Sequence, residues 1–497
     1  MRAAGVLLPI SALPSKYGIG SFSKEAYDFV DFLNDSGQRV WQLLPIGPTG
    51  VSNSPYQPLS AFAGNPYYIC LEDLVEEGYL TSTEVNQAYY GDNEEKIDYG
   101  AVYDTHPRLL KEASKRFFEQ KEQQKSEYTG FVKRNSYWLP DYALYMSLKD
   151  IHNASPWTDW EEGLKNRNEE AICEAELQNQ EAIVYFYFEQ YMFWKQIRKL
   201  NEYALSRGVH IINSMPFFVG HDSADVWANQ KFFRLLESGH AGRVGAEHPS
   251  DIYPKGIKFL DPAYNWEALE SDGYKWWLER IKHNSIAGGR LVIDNFSRFA
   301  ESYEVSGVAE DATGGIYERG SSPDFVNRVA ELAGIEGIIA EDINKDAALE
   351  KKLMEEGGYF DVRILENAFY GSADNRNLTH NHTKNCVVYT GTQDEAPLKS
   401  YLESLPPDDM FRLRKYIRSM DSDTGKLTWD FIREAYRSPA DLCIVRMQDY
   451  LVLGEDTRFH DLRGSGRNWT WRLKKDAMSA DLRSSIKSLT EEFYRNK

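Results

Sequence analysis

Cysteine is scarce in this 497-residue chain, with four in all at Cys70, Cys173, Cys386 and Cys443. Their wide spacing excludes a disulfide framework and a zinc-binding cysteine cluster, and reads as thiols of a reducing compartment. Long apolar runs are missing too. No stretch approaches the ~18 apolar residues of a membrane span. The start, from Met1 into Gly5-Val-Leu-Leu-Pro9, has neither the basic stretch nor the cleavage pattern of a secretory signal. Positive charge is in deficit, with 57 Lys and Arg against 76 Asp and Glu, a formal charge of −19. Such a surface repels phosphate backbones and anionic lipid. Nucleic acid and membranes therefore drop out as partners, a neutral ligand is expected, and the cytoplasm is the expected address. No ligand spacing asks for a metal, and neither metal nor organic cofactor is expected.

What is present is aromatic and periodic. Twelve Trp and 31 Tyr fill cores first, but they also offer flat faces on which sugar rings pack. Eight short apolar runs rich in β-branched residues read as strands: Gly5–Ile10, Val40–Pro45, Val209–Ile212, Leu291–Asp294, Gly337–Glu341, Val362–Leu365, Cys386–Tyr389 and Leu442–Met447. Helical spacing fills most intervals, as at Ser23–Ser36, Tyr274–His283, Pro323–Ala333 and Ala347–Glu356. Strand alternating with helix eight times predicts an α/β fold, a closed (β/α)8 TIM barrel, with an open doubly wound sheet as the alternative. The interval between the second and third strands is too long for a connection. Residues 67–200 read as a mainly helical insertion, with helices over Arg108–Gln124, Tyr142–Asp150, Trp160–Arg167 and Glu169–Leu200. Residues 229–266 are rich in Gly, Pro and His and read as an irregular active-site loop. The whole of 1–497 is expected to be one catalytic barrel with these two insertions.

Barrel sites gather at the carboxyl ends of strands, so acids that close an apolar run are the candidates. Asp294 ends Leu291-Val-Ile-Asp294, Glu341 ends Gly337-Ile-Ile-Ala-Glu341, and Asp394 follows Cys386–Tyr389 by a short loop. Singly, such an acid is most often a helix cap or an ion-pair partner. Three around one mouth are what glycosidic-bond chemistry uses: a nucleophile, a proton donor and a group that fixes sugar hydroxyls.

Pro45-Ile-Gly-Pro-Thr-Gly50, Ser54-Pro-Tyr-Gln57, Ser60-Ala-Phe-Ala-Gly-Asn-Pro66 and His221-Asp-Ser-Ala-Asp-Val-Trp227 carry a resemblance to the 4-α-glucanotransferases, glycoside hydrolase family 77. Trp138-Leu-Pro-Asp-Tyr-Ala143 and Asn468-Trp-Thr-Trp-Arg472 extend it over essentially the whole chain. The resemblance implies a barrel without a C-terminal β-domain. It also implies cofactor-free transfer of α-1,4-glucan segments between maltooligosaccharides by a retaining mechanism. On it, Asp294 is the nucleophile, Glu341 the general acid and base, and Asp394 the group that binds and distorts the donor sugar. Tyr56, Asp225, Phe259, His380, Gln393 and Asn468 are carried over as sugar-binding candidates.

The departures from the family pattern fall near this chemistry. The pattern Arg-Ile-Asp-His-Phe-Arg-Gly is Val292-Ile-Asp-Asn-Phe-Ser-Arg298 here, so the arginine two residues before the nucleophile is gone, and Arg298 is the nearest substitute. Thr-His-Asp-Asn is Thr392-Gln-Asp-Glu395, and Gly-Asp before the Pro-x-Tyr segment is Asn213-Ser214. Gly-Asn-Pro is Leu260-Asp-Pro262. On these grounds two other readings stay open: a barrel that binds glucan with little turnover, and a hydrolase or transferase of another α-glycoside.

Overall fold

The computed structural model describes residues 2–50, 52–250, 253–286, 289–321, 325, 329, 337–341, 359–461, 464 and 466–496. Among these residues twelve strands run in chain order as β1 (Ala3–Leu7), β2 (Val40–Gln42), β3 (His210–Met215), β4 (Arg243–Glu247), β5 (Ile257–Pro262), β6 (Leu291–Ile293), β7 (Glu301–Ser306), β8 (Ile316–Arg319), β9 (Ile338–Ala340), β10 (Phe360–Ile364), β11 (Cys386–Tyr389) and β12 (Leu442–Arg446). Eight of them close a barrel in the order β1-β12-β11-β10-β9-β6-β3-β2, and every neighbouring pair is parallel. Every residue of β1, β2, β6, β9, β11 and β12 is buried, because the barrel interior covers one face and the surrounding layer covers the other. That is why these strands read as unbroken apolar runs. A Cβ on Gly5 would stand 2.5 Å from the carbonyl of Val40 and 2.9 Å from the Ile444 side chain, so β1 needs glycine to close against both neighbours.

The layer outside the strands follows simple local rules. Ser23 stands just before the helix Lys24–Asp35, whose Ala26, Phe29, Val30 and Leu33 are buried at helical spacing. The expected helix over Tyr274–His283 spans Lys275–Asn284. Of the other two, Pro323–Ala333 lies outside the described residues but for Phe325 and Val329, and Ala347–Glu356 lies outside them entirely. No helix among the described residues is long and apolar enough to cross a membrane.

Between β2 and β3 the main helices are Tyr99–Glu119, Leu139–Ile151 and Gln180–Ser206. The first begins nine residues before the expected Arg108, because the Asp98 side chain accepts from the Ala101 amide at 3.1 Å and caps it, while Pro107 is tolerated inside. The single helix expected over Glu169–Leu200 is two, Glu169–Gln178 and Gln180–Ser206, with the break at Asn179. Trp160–Arg167 yields only the short turn Glu162–Lys165.

Residues 229–266, expected as an irregular loop, instead supply β4 and β5 to an antiparallel sheet ordered β5-β4-β7-β8. Its other two strands, β7 and β8, lie beyond β6, so two hairpins, β4-β5 and β7-β8, join edge to edge through β4 and β7. Gly245 breaks the apolar run for a reason of packing: a Cβ there would sit 2.2 Å from the Phe218 ring. The glycine lets the end of β3 press against this sheet.

The helix Gln180–Ser206 carries a buried acid, Glu189, which accepts from the Tyr185 hydroxyl at 2.8 Å. Burial pushes its carboxyl up to about 8. Between the ordinary value of about 4.3 and this raised one, the unfolded chain is ionised while the folded chain keeps the proton. The stability tied to Glu189 is therefore complete below the lower value and falls as pH rises towards the upper one. Thermal denaturation at pH 5 and pH 8 is expected to show a smaller alkaline loss of Tm for Glu189→Gln than for the unaltered chain. Equal losses would contradict the assignment.

Candidate active site

The barrel register sets the two main carboxylates side by side. Ile293 of β6 pairs with Ala340 of β9, and the next residues are Asp294 and Glu341. The Glu341 amide donates to the Ile293 carbonyl at 3.0 Å and the Asp294 amide to the Met215 carbonyl at 3.1 Å, so both leave the sheet at one level on the carboxyl rim. Asp394 reaches the same rim from the loop that follows β11. All three line one cavity of about 620 Å³, together with Tyr56, Phe259, Asn468 and Trp469.

Tyr56 ties the three acids together. Its side chain is half-buried, and desolvation first, then the charges of Asp294, Glu341 and Asp394, hold the phenol pKa well above 10. A phenol so placed remains a neutral hydrogen-bond donor throughout the working pH range. The Tyr56 amide is held by Ser54 Oγ at 3.2 Å, and its ring lies 5.8 Å from that of Trp469. Burial also pushes Asp261 up to about 7, which adds an acid that titrates near neutral pH to the cavity wall at the position where the family pattern has asparagine.

Asp394 is gripped from both sides. Gln393 Nε2 donates to Oδ2 at 3.0 Å and His460 Nδ1 to Oδ1 at 2.6 Å, while Arg458 Nη2 donates to the Asp394 carbonyl at 2.5 Å. The loop itself hangs on Arg446, at the end of β12. That guanidinium donates to the carbonyls of Thr392 at 3.0 Å and Glu395 at 3.2 Å, and to the carboxyls of Asp449 at 2.9 Å and Glu366, the latter pushed well above its usual pKa by burial. Arg446, Asp449 and Glu366 are all fully buried.

Beneath the rim the barrel interior is neutral. Val292 and Ser214 are direct register partners on β6 and β3. Tyr389 donates to Gln42 Oε1 at 2.8 Å, and Ser214 Oγ donates to the Leu43 carbonyl at 2.8 Å. Arg298 does not stand in for the arginine of the family pattern. Its guanidinium is directed to Glu247, to the Ala246 carbonyl at 3.0 Å and to Asn295 Oδ1 at 3.3 Å, with the Phe218 and Phe259 rings each 5.2 Å away. It anchors Phe218 and Phe259 to the small sheet.

The remaining candidates divide. Asn468 lines the cavity and closes its own loop through the Asp461 amide at 2.9 Å. Gln393 is buried behind Asp394. Asp225 does not line the cavity: it is buried behind the 60–63 segment and accepts from the Ala61 amide at 2.6 Å. His380 is exposed on a turn, bonded to the Tyr416 hydroxyl at 2.8 Å, away from the carboxylates. His460, Trp469, Asp261 and Arg446 were not among the candidates. They meet the site only through tertiary packing, and the residue pattern around His460 carries no strand or helix signal.

A closed parallel barrel whose rim gathers three carboxylates around one cavity, with aromatic walls, defines the class: a (β/α)8-barrel enzyme of the kind that processes glycosides. A family model described as 4-alpha-glucanotransferase, glycoside hydrolase family 77, matches residues 8–478, and the chain belongs to that family. It is 33% identical to the 4-alpha-glucanotransferase of Clostridium butyricum, over 98% of this chain and 99% of that one. It is 32% identical to that of Thermus thermophilus, over 99% of each. Among solved structures, amylomaltase from Streptococcus agalactiae in complex with acarbose superposes with a TM-score of 0.94 at 29% identity, over the full length of both chains.

Proposed function

We propose that this protein transfers α-1,4-glucan segments between maltooligosaccharides by a retaining double displacement, without a cofactor. The observation that carries the reading is that Asp294, Glu341 and Asp394 line one cavity at the carboxyl rim of the barrel, with Tyr56 among them. Asp294 attacks the anomeric carbon while Glu341 gives its proton to the departing glucan oxygen, leaving a glucosyl ester on Asp294. A second glucan then enters, Glu341 removes the proton from its 4-hydroxyl, and attack on the same carbon frees Asp294. Asp394, clamped by Gln393 and His460, holds the donor sugar's hydroxyls, and Phe259 and Trp469 offer stacking faces.

Residues 67–200 and 229–266 serve, in this reading, as additions to one catalytic barrel, the second building the acceptor-side wall through Glu247, Ile257 and Phe259. The cytoplasm remains the proposed address, supported by four cysteines of which none forms a disulfide and three are buried. Incubation with maltotriose followed by chromatography tests the function: glucose with a ladder of longer maltooligosaccharides is expected. Glucose and maltose without a ladder would mean hydrolysis, and no product would refute the transferase.

Tyr56 gives a prediction of its own. Removing a donor that faces developing charge costs about 10²- to 10³-fold in kcat, and that is the loss expected for Tyr56→Phe. Because the phenol stays protonated, the ratio of unaltered to variant kcat should be the same at pH 6 and pH 9. A ratio that collapses at alkaline pH would show that the phenol ionises.

A further inference from the structure

The grip on Asp394 contains a histidine that the sequence pattern does not supply. In the family pattern the imidazole directly precedes this aspartate, and here that position is Gln393. His460 comes from a different part of the chain, the stretch after β12 whose His460, Asn468 and Trp469 line the same cavity. This segment is built to hold a ring in place. The Trp469 amide donates to the Phe459 carbonyl at 2.7 Å, and closes the segment on itself. On the far side, Tyr99 donates to the Trp469 carbonyl at 2.9 Å, the Ile97 amide donates to the Thr470 carbonyl at 2.7 Å, and the Arg472 amide to the Glu95 carbonyl at 2.8 Å. The His460 ring stacks on the Trp469 indole, with centroids 5.0 Å apart and planes 17° from parallel. So braced, Nδ1 points at Asp394 Oδ1, opposite the oxygen that Gln393 takes. Arg458 fixes both partners, donating from Nε to the His460 carbonyl at 2.7 Å and from Nη2 to the Asp394 carbonyl at 2.5 Å.

We propose that His460 is the positioning residue for Asp394, and that it replaces from across the cavity the imidazole missing at Gln393. The carboxylate thereby keeps two donors, one on each oxygen, and its orientation is fixed between two independent parts of the chain. His460 acts through Asp394, so its loss should cost orientation of the donor sugar in the transition state more than binding of the ground state. The proposal rests on the glucanotransferase reading above.

The test uses the full chain and maltotriose, with kcat and KM measured for the unaltered protein, His460→Asn, His460→Gln, and His460→Asn combined with Gln393→His. A displacement of a reacting group by about 1 Å costs ~10²-fold. His460→Asn should therefore lose about that much kcat with KM within about threefold of the unaltered value, and His460→Gln should do no better. Returning the imidazole by Gln393→His should recover at least about tenfold of the loss. Thermal denaturation of each variant separates lost folding from lost positioning. A His460→Asn chain with unaltered kcat would overturn the proposal, as would a rise in KM alone or a double variant no better than the single one. If the unaltered chain produces neither ladder nor glucose, the parent reading falls with it. A ladder from the unaltered chain with an indifferent His460→Asn overturns this proposal alone.

Discussion

Replacing Asp294 with asparagine is expected to lower kcat/KM on maltotriose by at least about 10⁴-fold, with maltooligosaccharide binding retained. The amide has the carboxylate's shape but no charge to attack the anomeric carbon, so the first displacement fails and nothing downstream can restore it. The fold should survive the change. Asp294 stands one residue beyond β6, outside the barrel ladder proper, and its side chain accepts locally from the Asn295 amide at 2.9 Å. Asn295 itself adopts the left-handed conformation at φ 52°, which turns the chain sharply away and presents the carboxylate over the rim. Steady-state kinetics beside calorimetric titration with maltotriose checks both halves. Activity within tenfold of the unaltered chain would remove Asp294 from the role of nucleophile.

Arg446→Met is expected to cost about 3–5 kcal/mol of stability, because it leaves the buried Asp449 and Glu366 without their shared cation. Bulk solvent does not reach those groups: the side-chain exposure of all three is 2% or less. Chemical denaturation would read the loss directly. The same substitution should depress activity in the chains that remain folded, since the guanidinium also holds the carbonyls of Thr392 and Glu395 on either side of Asp394. Gly391 shows how closely the loop is fitted, as a Cβ there would lie 2.7 Å from the guanidinium. A variant with unaltered denaturation midpoint would mean that the triad is not the brace described here.

The barrel strands were legible because burial on both faces leaves a continuous apolar run, and the acid that closes each run then stands at the rim. Asp294, Glu341 and Asp394 were read from that logic alone, and the structure brings them to one cavity. Helix ends were less legible, since the Asp98 cap and the break at Asn179 are decided by single side chains. The sheet of β4, β5, β7 and β8 was missed because its central pair, β4 and β7, meets only across β6, and because the apolar pattern of β4 is cut where Gly245 makes room for Phe218.

The departures read differently once the register is known. In the sequence, Val292 and Ser214 stand as two separate losses of charge, of an arginine and of an aspartate. In the barrel they face each other on adjacent strands, so opposite charges have left one place together and a neutral pair remains. Neither leaves an unpaired buried charge behind, which would have been the costly outcome. Gln393 likewise reads as a lost imidazole until the fold brings His460 to the same carboxylate. Distance along the chain hides such replacements, because nothing local ties residue 460 to residue 394.

The central claim is that Asp294 carries the glucosyl group between donor and acceptor. Glu341→Gln combined with α-maltosyl fluoride tests it most directly, because fluoride leaves without protonation while the acceptor's 4-hydroxyl can no longer be deprotonated. Intact-protein mass spectrometry should then show a gain of one maltosyl unit, and peptide mapping should place it on Asp294. Fluoride release with no adduct, or an adduct on any other residue, would contradict the account.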